Sequence, residues 1–311
     1  MKKKKLNVNN FIKEKIMELI TALSELTPVE EYDGILYKRD DLYLPYEDYN
    51  ELGGGKVRQM QLLYESMKSK NEKITGLITN PVSLSSPQSA IVAKIAKDNN
   101  VPCMICIGGK IDSVEETAKR YKPLSLAYQL GAEIKVVAKI GYRNVVTSRV
   151  NDIIKENNYE VVNFGINLSD YPDAIIGSTA NQVLNLPDYL DNLIIPCGSA
   201  ITMAGIIVGI EQFKKQVKRI IGTQISGYDR RKYVDSILNK FRINRQYEFI
   251  IDTTYPYAKN VKHFINPEFE LNVKYESKAV QFFLRNKQQL GIADSDKTLI
   301  WIIGNNNFLF D

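Results

Sequence analysis

The sequence predicts an α/β protein whose parallel sheets are covered by helices on both faces. Strand patterns alternate with helical patterns along the chain, and the strands are continuous apolar runs, as in sheets buried on both sides. With 311 residues the chain is long enough for roughly two domains of about 150 residues. Ligands of such sheets bind outside the carboxyl ends of the strands, so the loops that follow strands are the places to look for a site.

Each element is predicted from the spacing of its apolar residues. Helices are indicated where these residues recur every three or four positions, as at Val57, Met60 and Met67. Short apolar runs that end in turn residues indicate strands. The predicted helices are 11–26, 56–70, 88–100, 116–132, 146–158, 201–213, 231–241 and 277–289. The predicted strands lie in 34–43, 74–79, 101–109, 133–138, 159–164, 192–198, 219–225 and 298–304.

Composition excludes several classes of function. The net charge is only +5, and four of the positive charges are Lys2–Lys5, so we do not expect a dedicated nucleic-acid binder. His263 is the single histidine, which argues against His-rich metal sites and a Ser-His-Asp triad. The chain has three cysteines and no apolar run of about 20 residues, which indicates a reducing, cytoplasmic setting without a membrane span. The interrupted apolar pattern after the lysines does not fit a secretory signal.

The turn Gly53-Gly54-Gly55-Lys56 precedes a predicted helix. Glycines allow a ligand to approach the backbone closely, and the positive end of a helix lowers the pKa of a lysine. A neutral amine is what Schiff-base chemistry requires. A phosphate-binding Walker loop does not fit, because Asn50 and Val57 occupy its defining positions. The alternative is an ordinary glycine-rich turn with a solvated lysine.

The small-residue loop Gly198–Gly205 follows an apolar strand and leads into a helix. Free N–H groups at a helix start bind phosphate, and Ser199 and Thr202 could add hydroxyl donors. The alternative is a plain strand-to-helix turn capped by serine or threonine. A second polar loop offers Ser86 and Gln88 before the helix at 88–100, for a ring hydroxyl or a substrate carboxylate or, alternatively, for simple capping.

These motifs occur in an order that resembles a known family. The stretch "YKRDDL…GGGKVRQMQLL" is similar to "KREDL…GGNKxRKLEYL" of the 1-aminocyclopropane-1-carboxylate (ACC) deaminase and D-cysteine desulfhydrase family. The resemblance continues through "LSLAYQLGAEIKVVA", "PCGSAITMAGI", "LNVKYESKAVQFFL" and "TLIWIIGNNNFLF", over about residues 30–310. It implies the tryptophan-synthase-β-like fold of pyridoxal-phosphate enzymes. The larger, cofactor-binding domain would comprise 1–56 and 166–311, and the smaller α/β domain 57–165.

The resemblance also implies roles for individual residues. Lys56 would hold pyridoxal 5'-phosphate as a Schiff base and move protons, and Ser86 would contact the substrate. Glu276 would face the pyridine nitrogen. The active-site tyrosines would be Tyr275 and Tyr257, with Tyr255 as the rival of the latter. The phosphate would be bound by Gly198, Ser199, Ala200, Ile201 and Thr202.

The sequence departs from the family at several of these positions. Ala200 and Ile201 replace two glycines, and a Cβ is costly where φ must be positive. In the second polar loop, Ser86-Pro87-Gln88 replaces Ser-Asn-His, which leaves Gln88 to contact the ring hydroxyl. The predicted function is a pyridoxal-phosphate lyase or deaminase that releases ammonia or sulfide and a 2-oxo acid from a small amino acid. The family also implies a homodimer.

Two alternatives to that function stay open. The altered phosphate loop is compatible with an inactive relative that serves as a binding or assembly protein. The basic N-terminus and the final motif, in which Ile302-Ile303-Gly304-Asn305 replaces the family's "HTGG", are compatible with an enzyme acting on an amino group carried by a larger molecule, such as a nucleic acid.

Overall fold

A computed structural model describes residues 25–71, 73–80, 84–109, 114–139, 143–163, 171–225, 228–257 and 259–304. The helix predicted over 11–26 therefore lies outside the described residues, except for its last two positions. The chain divides into two compact units. One contains Met60–Pro172, and the other contains the described residues up to Gln59 together with those from Asp173 onward. We call them the small unit and the large unit.

The elements follow the predicted alternation of strands and helices. The strands are β1 (Val29–Tyr32), β2 (Ile35–Arg39), β3 (Leu77–Asn80), β4 (Cys103–Gly108), β5 (Glu133–Ala138), β6 (Glu160–Asn163), β7 (Tyr189–Cys197), β8 (Gln216–Gln224), β9 (Glu248–Ile251), β10 (Phe264–Asn266), β11 (Phe269–Glu270) and β12 (Thr298–Ile302). The helices are α1 (Gly55–Lys70), α2 (Gln88–Asp98), α3 (Val114–Arg120), α4 (Lys122–Gln129), α5 (Arg143–Asn157), α6 (Pro172–Ala180), α7 (Ile201–Gln212), α8 (Arg231–Lys240) and α9 (Glu276–Asn286). Short 3-10 turns lie at Asp40–Leu42 and Asn181–Val183.

The small unit is built on a parallel sheet of four strands in the order β5-β4-β3-β6. Cys103 and Cys106 lie in its strand β4 and are buried free thiols, and burial raises the pKa of each to about 12. The single helix predicted over 116–132 is in fact two helices. Tyr121 adopts extended backbone angles between them, because Pro123 fits only the first turn of a new helix.

The large unit contains a sheet of six strands in the order β1-β2-β12-β7-β8-β9. All neighbours are parallel except the β1–β2 hairpin, as the apolar strand patterns predict. The loops that follow β2, β12, β7, β8 and β9 therefore meet at one edge of this sheet. Among the described residues, no helix combines the length and the apolar character needed to cross a bilayer.

Candidate active site

The glycine turn before α1 is held tightly against the end of β12. Gly54 has φ +88°, and a Cβ on it would lie 2.7 Å from the carbonyl oxygen of Ile303. Gly55 N donates a hydrogen bond of 3.1 Å to that same oxygen. Lys56 follows as the second residue of the helix and is partly buried. Loss of hydration on burial lowers the pKa of its amine, so the neutral form is more accessible than for a surface lysine.

A buried ion pair anchors the first turn of α1. The Arg58 guanidinium lies two residues after Lys56 and donates to both oxygens of Asp40, at 2.7 and 2.9 Å, and to the Ser178 carbonyl. Both charged side chains are essentially inaccessible to solvent. A Cβ at Gly55 would lie 2.6 Å from Asp40 Oδ2, so the carboxylate packs directly on the turn. Removing one partner of such a pair is strongly destabilising, because the other charge is left buried and unpaired.

Glu276, at the start of α9, contacts the other side of the same strand end. Its Oε1 accepts hydrogen bonds of 3.1 Å from the amides of Ile303 and Gly304. Its Oε2 is buried and has no hydrogen-bond partner among the described residues. Burial raises the pKa of this carboxyl to about 7, and the charge of Asp41 adds to the rise. Ile303 therefore links the two groups, since its carbonyl positions the Lys56 turn and its amide positions Glu276.

The turn after β7 leads directly into the start of α7. Ala200 directly precedes α7 and adopts the left-handed conformation, with φ +66° and ψ 8°, and no described side chain caps this helix. A residue with a Cβ in this conformation carries a strain of about 1–2 kcal/mol. Ser199 is exposed, Gly198 and Thr202 are partly buried, and Ile201 is buried. Gln224 donates to the Gly198 carbonyl at 3.1 Å and ties this turn to the end of β8.

Two tyrosines lie beside the turn after β7. The hydroxyls of Tyr257 and Tyr275 are 2.6 Å apart, and a Cβ on Gly198 would lie 2.9 Å from Cε1 of Tyr275. The rival Tyr255 donates instead to Gln281, so the structure pairs Tyr257 with Tyr275. Burial, together with the neighbouring phenol, raises the pKa of Tyr275. Tyr275 is therefore a neutral phenol, suited to donate a hydrogen bond rather than to act as a phenolate.

The remaining two candidates, Ser86 and Gln88, belong to the small unit. Ser86 Oγ accepts a hydrogen bond of 3.3 Å from Gln88 N, and Ser89 Oγ donates to the Ser86 carbonyl. Gln88 is fully buried and donates from its amide to the Asn163 carbonyl at 2.9 Å. These contacts lie at the start of α2, whose N-cap residue is Pro87 and which no described side chain caps.

Sequence reasoning did not assign a role to several residues that shape this site. Asp40, Arg58 and Ile303 were seen only as parts of motifs, and Gln224 was not singled out. Lys38 was also missed. It is fully buried, donates to the Thr27 carbonyl and to Asn185, and burial lowers its pKa to about 7. The sequence does place two charged residues, Lys38 and Arg39, inside the strand "ILYKR", and a buried strand rarely carries charges without a structural or functional reason.

Comparison with known proteins yields one relative by sequence and many by structure. No protein-family model matches the sequence. The O-seryl-dTMP PLP-dependent decarboxylase of Salmonella phage ViI is 25% identical over 244 residues, which is 73% of this chain and 55% of the relative. The chain thus spans about half the length of the curated relative that it matches.

Solved structures match over nearly the whole chain. An ACC deaminase homologue gives a TM-score of 0.72 at 17% identity, covering 94% of this chain and 96% of its own. A pyridoxal 5'-phosphate-dependent aspartate racemase gives 0.62 at 12% identity, with 97% and 95% covered. Threonine deaminase isoform 2 of Solanum lycopersicum gives 0.62 at 14%, with 94% and 88% covered. The chain therefore has the fold of these enzymes, and both the predicted fold class and the resemblance are confirmed at that level.

Proposed function

We propose that this protein is a pyridoxal-5'-phosphate enzyme that acts at the α-carbon of an amino acid. The observation that carries the proposal is the buried, unpartnered Oε2 of Glu276, held by the same residue that positions the turn of Lys56. A buried carboxylate oxygen without a partner is costly, and a protonated ring nitrogen would satisfy it. The fold is that of pyridoxal-phosphate enzymes, which supports the same conclusion.

The residues present fit the three recognition elements of this cofactor. The amine of Lys56 would hold its aldehyde, Glu276 would face its ring nitrogen, and the turn Gly198–Thr202 would bind its phosphate through N–H groups at the start of α7. When bound, the cofactor supplies a ring that withdraws electrons from the α-carbon. The left-handed Ala200 keeps the backbone of this turn in a conformation that glycine adopts without strain.

Side chains of the protein itself would bind and transfer protons in this site. When ionised, the buried carboxylate of Glu276 would stabilise a positive charge on the partner that faces Oε2, and that charge would in turn lower the raised pKa of Glu276. The lowered pKa of Lys56 makes its released amine a suitable general base at the α-carbon. Tyr275, neutral and bonded to Tyr257, would donate a hydrogen bond to the substrate or to a leaving group.

Two substrate classes fit this chemistry. The first is a small free amino acid, from which a lyase or deaminase reaction would release ammonia or sulfide and a 2-oxo acid, in line with the ACC deaminase resemblance. The second is an amino acid carried by a nucleotide, which would lose its carboxyl group as carbon dioxide. The relative from Salmonella phage ViI favours this second class, since its name describes decarboxylation of a seryl group on dTMP.

The proposal is tested by absorption spectroscopy of the purified protein incubated with pyridoxal phosphate. We expect an absorption band at the boundary between the ultraviolet and the visible range, and a reduced adduct on Lys56 by mass spectrometry after borohydride treatment. Lys56→Ala should abolish both signals. The matched control is Lys68→Ala, on the exposed end of the same helix, which should keep both. A wild-type protein that stays colourless and unmodified would refute the proposal and favour an inactive relative.

A further inference from the structure

Two exposed cations flank the ring of Tyr255 on the large unit. Lys259 Nζ lies 5.1 Å from the ring centroid, and the guanidinium carbon of Arg285 lies 5.4 Å from it. Arg285 Nη1 also donates to the Tyr255 hydroxyl at 3.2 Å. Lys259 and Arg285 are both exposed. We call these three residues the Tyr255 face.

One acidic group neutralises part of this face. Arg285 Nη2 forms an ion pair with Oδ2 of Asp252, at 3.8 Å, whereas Lys259 forms no ion pair with a carboxylate among the described residues. Lys262 adds a further exposed positive charge in the same segment. The face therefore presents a net positive charge to solvent.

The same segment connects this face to the candidate active site. Tyr257 follows Tyr255 by two residues, and its hydroxyl bonds that of Tyr275, which packs against Gly198. The buried ammonium of Lys278 donates to the carbonyls of Pro256 and Tyr257, both at 3.1 Å, and fixes the segment on α9.

The length of α9 between Glu276 and Arg285 exceeds the size of a free amino acid. Glu276 begins the helix and Arg285 lies nine residues later, which corresponds to about 13 Å along the helix axis. An amino acid bound beside Lys56 and Glu276 does not extend that far. A charged group that contacts the face while the amino acid occupies the site must be joined to it by a spacer the size of a nucleoside.

We propose that the Tyr255 face binds the phosphate of a nucleotide that carries the amino-acid substrate. This inference rests on the second substrate class of the proposed function. Arginine and lysine beside an aromatic ring are typical partners of phosphate, and here the ring holds the two cations in place rather than offering a free surface for a base. A free nucleotide and a nucleotide within a strand share this phosphate chemistry.

The test measures the binding of dTMP, thymidine and oligothymidylate to the protein. Binding is measured by calorimetry or fluorescence at two salt concentrations. We expect dTMP to bind more tightly than thymidine, and Lys259→Gln or Arg285→Gln to weaken dTMP binding by about tenfold each, the value of one charged hydrogen bond. Thymidine binding should not change. Lys119→Gln, an exposed lysine of the small unit, removes the same charge and should leave all three affinities unchanged.

The source of the phosphate follows from the salt dependence. A steeper loss of oligothymidylate binding with salt than of dTMP binding indicates that several phosphates of a strand are contacted, and equal slopes indicate a free nucleotide. Equal affinity for dTMP and thymidine would overturn the inference, and so would unchanged dTMP binding in the folded Lys259→Gln variant.

Failure of this inference can be told apart from failure of the proposed function. The cofactor absorption band is recorded on the same samples. If the protein shows the band but does not prefer dTMP, only the role of the Tyr255 face is refuted. If it prefers dTMP but shows no band, the role of the face stands and the cofactor assignment is refuted.

Discussion

The buried carboxyl of Glu276 makes the stability of the cofactor-free protein depend on pH. Its pKa is about 7 in the folded protein, against an ordinary value of 4.5. Because the folded-state pKa is raised, the contribution of Glu276 to stability is complete below pH 4.5 and is lost as the pH rises towards 7. At about 1.4 kcal/mol per pKa unit, the loss over this range is about 3 kcal/mol.

Glu276→Gln should remove this loss. The amide oxygen can still accept the hydrogen bonds from Ile303 and Gly304, and the side chain no longer ionises. We expect the unfolding free energy of the variant relative to wild type to rise by about 3 kcal/mol between pH 4 and pH 8. The assay is urea unfolding of the cofactor-free proteins at a series of pH values, monitored by the fluorescence of the single tryptophan, Trp301.

A matched control should change in the opposite direction. Glu248 is paired with Arg219 at 2.7 Å, and this hydrogen bond lowers its pKa. Glu248→Gln should therefore lose stability relative to wild type as the pH rises through the acid range. If the Glu276→Gln difference is the same at pH 4 and pH 8, Glu276 titrates normally in the folded protein and the argument from burial is wrong.

Two backbone positions provide further predictions. Ala200→Gly should raise the unfolding free energy by about 1 kcal/mol. Glycine adopts the left-handed conformation without strain, but the greater conformational entropy of the unfolded glycine chain offsets part of this stabilisation. Thermal unfolding measures this, and a destabilised variant would contradict the conformation of Ala200. Gly54→Ala should cost more than about 2 kcal/mol and abolish cofactor binding, because its Cβ would combine positive φ with the 2.7 Å contact to Ile303. Gly34→Ala has positive φ but no described atom within 4 Å of the new Cβ, so it should cost only about 1 kcal/mol, and equal losses would show that the contact is unimportant.

Much of the fold could be predicted because its signals are local. Continuous apolar strands such as β4 and β7 and amphipathic helices such as α8 are encoded in short stretches, and the structure contains them where the periodicity indicates. The pattern did not predict α6, the strands β1 and β9, or the small hairpin of β10 and β11. Helix α6 is almost uniformly buried, so it has no polar face to reveal its period, and β10 and β11 span only three and two residues.

Part of the candidate site could likewise be predicted from local motifs, and part of it could not. Three of its motifs are local: a lysine after three glycines, a small-residue turn after a strand, and a Tyr-Glu pair before a helix. Their order along the chain was sufficient to reveal the family resemblance. The partnership of Tyr257, rather than Tyr255, with Tyr275 could not be read from spacing. Both tyrosines lie in one irregular segment, and hydrogen bonds to α9 determine which phenol faces which neighbour.

By itself, the sequence determined the class of fold and the glycine turn of Lys56, because both depend on side-chain volume and polarity over a few neighbouring residues. Tertiary structure alone decided that one residue at the end of β12, Ile303, holds both the Lys56 turn and Glu276. It also decided that the charges of Lys38, Asp40 and Arg58 are buried. Such contacts include pairs of residues that lie 18 and 147 positions apart, and their energies depend on exclusion of water, which no local pattern specifies.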